Sequence, residues 1–533
     1  MAPSFLSSPP VFLLSVAALL YIVRWLSHRR RTDVHRLPCA PRELAHWLWG
    51  HELVNFQGQA TEMYTKWAAR CGPFFRIKGA LFHPDIIVAA DHAAVHHIFQ
   101  NCYDYVKSPA FRPPVANLLG KGLVWAEGDE HRLQRRILSP AFSSEAIKGM
   151  ADDIIECSEK CESRLTNHVL SAGGATTVNI TEYTSTCTLD IIGRVAFGHD
   201  FKSGESTEAK QIHESWSGHI NTGLQFGGFV AMLVMRALPF VTLMLTKLPL
   251  EAIRAGGRIR EITMKLSTRL IESGTVSEKG RDIMSILLKA ERARGKDAAS
   301  KGAGLTTEQI VHNISTLMMV GHETTAGSMS FTLLELARHP EIQQKLREEI
   351  RQFGRDLTYD DVQRLEYLDA VVKEGLRLHP ASPQTERVAL KDDVIPLSTP
   401  AITPSGEKLT SIRVAAGQVF HIPFLTMQVN PAVWGADATE FRPERWLVPG
   451  GVPPPSELPH GWSGLVTFCD GPRNCIGYRL AVFEFKVILA TLVRSLEFHD
   501  TTATVVRKIS PTLQPVVDGK GGLLPLHVTL APQ

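Results

Sequence analysis

The sequence predicts a mainly helical protein with a smaller β region, preceded by an apolar N-terminal segment. Most of the chain up to about residue 380 carries the apolar spacing of helices. Short runs at 74–78 and 86–88, and two apolar runs around the glycines of 511–530, are typical of a strand pair and a hairpin. The 533 residues, 44% of them hydrophobic, suffice for a large core.

The organisation of the chain favours one globular unit. No internal repeat or long low-complexity spacer interrupts it, so we predict a membrane segment at 1–36 and a catalytic unit at 37–533. The net charge is only +3 and the basic residues are dispersed, which excludes a nucleic-acid partner. Eight cysteines lie scattered along the chain, as in proteins of a reducing compartment.

The N-terminal segment, residues 5–26, is apolar over about the length that a spanning helix needs. Its uninterrupted part, 11–23, is short enough for a secretory signal. Arginines follow the apolar run, at Arg24 and Arg29 to Arg31, whereas a cleaved signal carries its positive charge in front. The charge pattern therefore favours a retained anchor with the catalytic unit on the cytoplasmic side.

A second apolar stretch covers residues 223–250. Glycines, Arg236 and Pro239 interrupt it, so we do not expect a second span. Two interpretations remain open: a buried helix, or a surface patch that dips into membrane lipid near the substrate entrance. The charged residues 290–304 that follow, which contain three glycines, predict a surface loop.

A long helix begins with the capping box of Thr306 and Gln309 and is predicted to run to about Arg338, before Pro340. One face carries bulky residues first and then small or hydroxyl-bearing ones, namely Gly321, Thr324 and Ser328. We expect this change to leave room for a ligand midway along the helix.

Cys475 is flanked by Gly471 and Gly477, and a helical pattern starts just after it. Backbone N–H groups and a helix N-terminus can stabilise a thiolate in such a place, so Cys475 is predicted to be a ligand or a nucleophile. A zinc site here is disfavoured, because Cys469 lies six residues upstream and no further zinc ligands surround it in sequence.

The five residues Phe468, Gly471, Arg473, Cys475 and Gly477 fit the pattern Phe-x-x-Gly-x-Arg-x-Cys-x-Gly. The stretch resembles the haem-binding signature of the cytochrome P450 superfamily, of the microsomal and fungal-like type. The resemblance implies the mainly helical triangular-prism fold and a haem b whose iron takes a cysteine thiolate, which favours cleavage of the O–O bond. It marks Cys475 as the metal ligand, with Phe468, Gly477 and Arg473 at the cofactor.

The resemblance also implies roles on the other side of the haem. The sequence from Gly321 to Thr325 is similar to the oxygen-activation motif of the family, with Val320 where Ala or Gly is usual. Thr324 would then support a proton path to the oxygen-binding side, with Glu323 as its relay. For an isolated Thr, a hydrogen bond back to a helix carbonyl would be the ordinary interpretation.

Further positions match residues that hold the haem carboxylates in related sequences. Arg135 matches the arginine of a Trp-x-x-x-Arg pair, and His131 replaces its tryptophan while keeping an N–H donor. Arg387 lies where a further propionate ligand is usual, and residues 381–385 would line the substrate pocket. Without the resemblance, the charged residues of 129–138 would be interpreted as a solvated helix face.

Glu374 and Arg377 stand three residues apart on a predicted helix, the spacing of an ordinary surface ion pair. Arg445 follows about 70 residues later in a Pro-Glu-Arg-Trp sequence. By resemblance to the family, the three are predicted to form a buried triad that supports the back of the cysteine stretch, with a structural role.

The reaction implied is monooxygenation of a lipophilic small molecule, with dioxygen as co-substrate. No dinucleotide fingerprint is present in the sequence, so electrons are expected from a membrane-bound NADPH–cytochrome reductase or cytochrome b5 at the endoplasmic reticulum. His131 and the Pro140-Ala141-Phe142 sequence look like those of fungal secondary metabolism, which suggests a terpenoid substrate. The alternatives are a haem-thiolate isomerase or dehydratase that needs no dioxygen, and a non-catalytic membrane haem sensor.

Overall fold

A computed structural model describes residues 31–109, 111–237, 251–272, 283–296, 304–354 and 357–532. Helices dominate this part of the chain, which confirms the mainly helical class with a smaller β region. The α-helices are Glu52–Gln57 (α1), Glu62–Cys71 (α2), His92–Gln100 (α3), Arg112–Leu119 (α4), Gly128–Leu138 (α5), Ser144–Ser171 (α6), Ile180–Phe197 (α7), Thr207–Gly223 (α8), Phe226–Ala237 (α9), Glu251–Glu272 (α10), Ile283–Lys296 (α11), Thr307–Arg338 (α12), Pro340–Gln352 (α13), Tyr359–Arg364 (α14), Glu366–Leu378 (α15), Phe424–Gln428 (α16), Pro431–Trp434 (α17) and Tyr478–Ser495 (α18).

The described strands form four small sheets. A five-stranded sheet has the order β1-β2-β8-β5-β3, two three-stranded sheets have the orders β4-β13-β9 and β10-β11-β12, and β6 pairs with β7. The strands are Phe74–Ile77 (β1), Ile86–Ala89 (β2), Tyr105–Val106 (β3), Ala175–Asn179 (β4), Thr385–Ala389 (β5), Asp393–Ile402 (β6), Lys408–Val414 (β7), Val419–Ile422 (β8), Leu496–His499 (β9), Val506–Ile509 (β10), Leu513–Val517 (β11), Lys520–Gly521 (β12) and Pro525–Leu530 (β13).

The predicted strand pair is confirmed as β1 and β2, which are antiparallel with Phe75 opposite Val88. The predicted C-terminal hairpin is only partly right. β11 turns back into the two-residue strand β12, but the second apolar run forms β13, which pairs with β4 and β9 instead. An alternating pattern of apolar and polar residues identifies a strand but does not show which strand it pairs with. β4 lies about 350 residues before β13 in sequence.

Helix α12 runs through the centre of the molecule and packs against α7, α10, α15 and α18. The predicted capping box is present. Thr306 Oγ1 accepts from the Gln309 N–H at 3.1 Å, and Gln309 Oε1 accepts from the Thr306 N–H at 3.0 Å. The helix ends at Arg338, and Pro340 opens the next one, as expected from the sequence.

The surface loop expected at 290–304 is wrong in its first half, because α11 continues to Lys296. Alanine, arginine, glutamate and lysine are strong helix formers, and they outweigh the single Gly295 in this stretch. Residues 297–303 lie outside the described part of the chain.

The stretch 223–250 contains helix α9, while residues 238–250 lie outside the described part. One side of α9 is buried through Phe229 and Leu233, whereas Phe226 and Met232 are exposed. Arg236 holds the helix to α1, since its Nη1 donates to Glu52 Oε1 at 2.7 Å. The helix is therefore docked on the body and still presents apolar side chains outward.

The predicted anchor at 5–26 also lies outside the described residues. Within the ranges that the structure describes, every helix is too short or too polar to cross a lipid bilayer. All eight cysteines lie within these ranges, and each has a free thiol.

Candidate active site

Residues 468–477, here called the cysteine loop, lie between α3 and α18. The Cys475 N–H donates to the Phe468 carbonyl at 2.8 Å and closes the loop, and α18 begins directly after Gly477. Gly471 has a φ of +65°, and a Cβ there would come within 2.4 Å of the Phe99 carbonyl oxygen. Only glycine fits this close approach to α3.

Cys475 is exposed to solvent. Burial by the surrounding protein nevertheless raises the pKa of its thiol to about 11, against the lowering effects of the Gly477 N–H and of Arg135. An accessible thiol within enclosing protein is the geometry of a group at the wall of an internal cavity. A metal cation would lower this pKa, so the environment suits a ligand better than a free nucleophile.

Arg135 of α5 reaches the cysteine loop directly. Its Nη2 donates to Asn474 Oδ1 at 2.6 Å, and its Nη1 donates to the Asn474 carbonyl oxygen. His131 lies one turn earlier on α5 and is buried, and burial lowers the pKa of its imidazole to about 3. The ring is therefore neutral near pH 7 and keeps one N–H for donation.

Arg473 and Arg387 lie close to these residues. Arg473 Nη1 donates to the Ala126 carbonyl at 3.1 Å, and its Nη2 pairs with Glu127. Arg387 is buried on β5, where its Nη1 donates to Thr385 Oγ1 at 2.7 Å. Burial lowers the pKa of the Arg387 guanidinium, and the positive charge of the neighbouring Arg473 lowers it further.

Lys107 joins this group and was missed in the sequence. It follows β3, and its Nζ lies 3.5 Å from Glu127 Oε1. Burial, and then Arg473, lowers the pKa of its ammonium group to about 7. A lone lysine after a two-residue strand has no local pattern that would have identified it.

Four basic side chains thus gather near the cysteine loop: Arg135, Arg387, Arg473 and Lys107. Glu127 pairs with two of them, Arg473 and Lys107, so positive charge exceeds negative charge among these contacts. Such an excess is costly in a buried place unless further anions bind there. The two carboxylates of a haem provide such anions, and the accessible Cys475 thiol provides a ligand for its iron, so the residues present fit this cofactor.

On α12, a half-buried stripe interrupts an otherwise buried helix. It consists of Val320, Gly321, Thr324 and Gly327, which repeat at helical spacing. The predicted gap is therefore present, but it lies on a slightly different face of the helix. Ser328, which we expected in the gap, is buried and donates to the His379 carbonyl at 2.7 Å. A Cβ on Gly321 would lie 2.7 Å from Ile192, so this glycine also permits close packing of α7.

Thr324 and Glu323 bind different partners. Thr324 Oγ1 donates back to the Val320 carbonyl at 2.8 Å, and the oxygen remains free to accept on the half-buried stripe. Glu323 is buried, and its Oε1 accepts from Gln514 Nε2 at 2.9 Å. The two side chains are adjacent in sequence, but the described contacts do not join them.

Burial raises the pKa of Glu323 to about 7, and the amide of Gln514 and the indole of Trp216 counteract this only in part. The Trp216 N–H forms no hydrogen bond of good geometry within the described part of the chain. His322 Nε2 lies 3.8 Å from Glu323 Oε2, while its Nδ1 donates to the Met318 carbonyl at 3.0 Å. That bond leaves Nε2 of His322 as an acceptor. A protonated Glu323 therefore faces a donor, the Gln514 amide, and an acceptor, the His322 Nε2.

The predicted triad of Glu374, Arg377 and Arg445 is brought together and fully buried. Glu374 Oε1 accepts from Arg377 Nη2 at 2.8 Å and from Arg445 Nε at 2.9 Å, and its Oε2 accepts from Trp446 Nε1 at 2.9 Å. Arg377 Nη1 donates to the Gln428 carbonyl at 2.7 Å.

Gln428, which the sequence did not single out, carries this support toward the cysteine loop. Its Oε1 accepts from the Val466 N–H at 3.1 Å and from Thr467 Oγ1 at 3.0 Å, just before the loop begins. The triad is thus linked to the back of the loop through one buried amide.

The strand that carries Gln514 also meets the segment expected to line a substrate pocket. The Leu513 N–H donates to the Ala381 carbonyl at 2.8 Å, and a Cβ on Gly327 would lie 3.4 Å from the Leu513 carbonyl oxygen. The start of β11, rather than the tip of its turn, therefore approaches the stripe of α12. The turn between β11 and β12 packs instead on α8, where Gly521 lies against Ile220.

Comparison with known proteins identifies the family. A family model described as Cytochrome P450 matches residues 40–522. Similar proteins include the cytochrome P450 monooxygenase claO of Ampulloclitocybe clavipes, 34% identical over 97% of both chains. Cytochrome P450 monooxygenase 205 of Postia placenta is 31% identical over 93% of both chains. The ganoderic acid synthetase CYP5150L8 of Ganoderma lucidum is 28% identical over 95% of this chain and 96% of its own.

Proposed function

The chain belongs to the cytochrome P450 family and is a monooxygenase of that family, and we propose that Cys475 is the thiolate ligand of its haem iron. Members of the family bind haem b through a cysteine thiolate. The observation that carries the proposal is the exposed Cys475 within enclosing protein, beside a surplus of basic side chains.

We further propose that Arg135, Arg387, Arg473 and Lys107 bind the two haem carboxylates, with His131 donating its single N–H. The guanidinium groups offer paired donors that match carboxylate geometry. Phe468 and Gly477 shape the loop around the sulfur. Anion binding would also raise the depressed pKa of Lys107, because a nearby negative charge favours the charged ammonium.

Bound haem supplies the activation of dioxygen from which one oxygen atom enters the substrate. Thr324 and Glu323 are proposed to supply the protons that this reaction consumes. Glu323 holds a proton near neutral pH between Gln514 and His322, and the Thr324 hydroxyl accepts and passes protons on the accessible stripe. The carboxyl would have to rotate toward Thr324 to deliver its proton, because the two do not touch.

For the substrate we propose a lipophilic small molecule of secondary metabolism, of terpenoid character. The similarity to a ganoderic acid synthetase supports a biosynthetic role. Ala381 and Leu513 would border the substrate above the α12 stripe, where they are joined by a backbone hydrogen bond. Metabolite profiling after deletion of the gene would identify the accumulating precursor, and a polar, water-soluble precursor would contradict the proposal.

We propose that electrons come from NADPH–cytochrome reductase, docking on the cysteine side, and that the chain is anchored in the endoplasmic reticulum membrane by residues 5–26 with its body in the cytoplasm. Exposed apolar side chains on neighbouring segments support contact with lipid: Trp47 is 75% exposed, Phe82 77% and Phe226 51%. Protease added to intact microsomes should digest the body, and protection until detergent is added would reverse the orientation.

The experiment that tests the ligand is reduction of the purified protein under carbon monoxide. The wild type should show the red-shifted Soret band of a thiolate-ligated haem, and Cys475→Ser should abolish it. Cys469→Ser is the matched control, since Cys469 lies in the same loop and its thiol pKa is also raised by burial. Loss of the band in Cys469→Ser with retention in Cys475→Ser would overturn the assignment.

A further inference from the structure

Three potential metal ligands from separate elements meet behind the cysteine loop. His96 lies on α3, His460 lies in the segment before the loop, and Asp470 lies within it. Their donor atoms all lie within 4.8 Å of one another. His96 Nδ1 and His460 Nδ1 lie 2.8 and 3.0 Å from the same oxygen, Asp470 Oδ2, and the two imidazole centroids are 6.3 Å apart.

We propose that His96, His460 and Asp470 bind a divalent transition-metal ion, with Zn²⁺ as the ion that suits them best. Two imidazole nitrogens and one carboxylate oxygen are ligands that zinc accepts, and water completes a tetrahedron around such a three-ligand set. Zinc bonds of about 2.0–2.2 Å require ligand atoms slightly more than 3 Å apart. The two nitrogens lie 2.8 and 3.0 Å from Asp470 Oδ2, so a small outward rotation of the histidines would lengthen these two separations to the required value, and all three donor atoms already lie within 4.8 Å of one another.

Neighbouring groups are arranged as an outer shell. His92 Nδ1 lies 3.0 Å from His460 Nε2, and His92 is buried. When Nδ1 of His460 binds zinc, its Nε2 carries the proton and donates to His92. The other oxygen of Asp470 accepts from the Gly471 N–H at 2.7 Å, which fixes the carboxylate plane. Such partners orient the ligands of metal sites.

Access and charge also suit an ion. The side chains of His460 and Asp470 are 0% and 6% exposed, whereas that of His96 is 37% exposed and provides the entrance. In the part of the chain that the structure describes, Oδ2 of Asp470 contacts these two histidines. No lysine or arginine contact among those residues has to be displaced.

The position gives the ion a structural consequence. His96 belongs to α3, and Asp470 begins the turn that leads through Gly471 to Cys475. Zinc bound to both would tie the helix to the start of the cysteine loop. Because the unfolded chain lacks this arrangement, zinc should stabilise the folded protein.

The test uses the haem-loaded full chain, dialysed against Zn²⁺ and then analysed for metal content and thermal midpoint. The wild type should hold one more zinc ion per chain than His96→Gln, with an affinity at least about 10-fold higher. His96→Gln alters a partly exposed side chain and should fold. His97→Gln is the matched control, because the adjacent His97 turns to Asp393 instead.

The zinc absorption edge of the loaded protein distinguishes the ligands. Nitrogen and oxygen scattering without sulfur supports the site, whereas sulfur scattering would show that a cysteine captures the ion and would overturn it. Equal zinc content in wild type and His96→Gln, or equal losses in His96→Gln and His97→Gln, would also overturn the proposal. Zinc should raise the thermal midpoint of the wild type and of His97→Gln, but not that of His96→Gln.

Discussion

Two buried glutamates on neighbouring helices are held in opposite ways. Glu374 on α15 has two arginines and an indole N–H on its oxygens, so its negative charge is fully compensated. Glu323 on α12 has an amide and neutral aromatic neighbours, and its pKa rises to about 7. A compensated charge supports a fold, whereas an uncompensated carboxyl can gain and lose a proton near neutral pH.

The largest effect is expected when a charge of the compensated triad is removed. Arg377→Ala leaves Glu374 with part of its charge unpaired and should cost about 3–5 kcal/mol of unfolding free energy, enough to impair haem incorporation. Denaturant unfolding and haem content measure this. Arg364→Ala is the control, since Arg364 and Asp361 form an exposed pair of the same i,i+3 spacing; it should change stability by at most about 1 kcal/mol.

A triad variant that folds with full haem content and fails only in turnover would contradict this assignment. Glu374 would then act in the chemistry, and the contrast between the two glutamates would be lost.

The next effect concerns Glu323. Glu323→Gln keeps an acceptor for the Gln514 amide, so the protein should fold and bind haem, but it removes the proton. Product formation should fall by about 10²–10⁴-fold, the usual contribution of a positioned acid or base. Turnover with reductase measures this, and unchanged product formation would remove Glu323 from the mechanism.

The pH dependence has a definite sign. The acid form of Glu323 predominates below its pKa of about 7 and declines as pH rises through that value. Product formed per NADPH consumed should therefore fall above pH 7 in the wild type, and Glu323→Gln should show no such decline. A decline of equal size in the variant would assign the titration to another group.

Thr324→Ala should have a milder effect on the structure, because it removes one hydroxyl and one methyl group from an accessible stripe. Substrate binding and the thiolate spectrum should persist. NADPH and dioxygen should still be consumed, with hydrogen peroxide released in place of product. The ratio of product to NADPH measures this coupling, and Thr324→Ser, which keeps the hydroxyl, should restore most of it.

A further effect, on the pH dependence of stability and not on turnover, concerns a third buried glutamate. Glu484 on α18 accepts from Thr325 Oγ1 at 2.5 Å, and burial raises its pKa from 4.5 to about 8. The native state therefore binds this proton more tightly than the unfolded chain, and its contribution to stability declines as pH rises from 4.5 to 8. The slope should be at most about 1.4 kcal/mol per pH unit.

Glu484→Gln keeps the acceptor for Thr325 without the ionisation, so it should remove this contribution to the slope. Unfolding free energies at pH 5 and pH 8 test this. An unchanged slope would show that Glu484 titrates alike in both states.

Features that depend on short spacing could be predicted from the amino-acid sequence. The five signature residues fix the cysteine loop, because a tight turn, a close approach at Gly471 and a following helix are all local requirements. The capping box located the start of α12 for the same reason. Together with the resemblance, the Glu374 and Arg377 spacing led to Arg445.

Properties that depend on distant neighbours became visible with the folded chain. Glu323 meets Gln514 almost 200 positions later in sequence, and Lys107 is partly enclosed beside Arg473. His96 and Asp470 likewise meet only after folding. The physical reason is that spacing encodes hydrogen bonds within a turn or two, whereas desolvation and charge balance depend on which surfaces pack together.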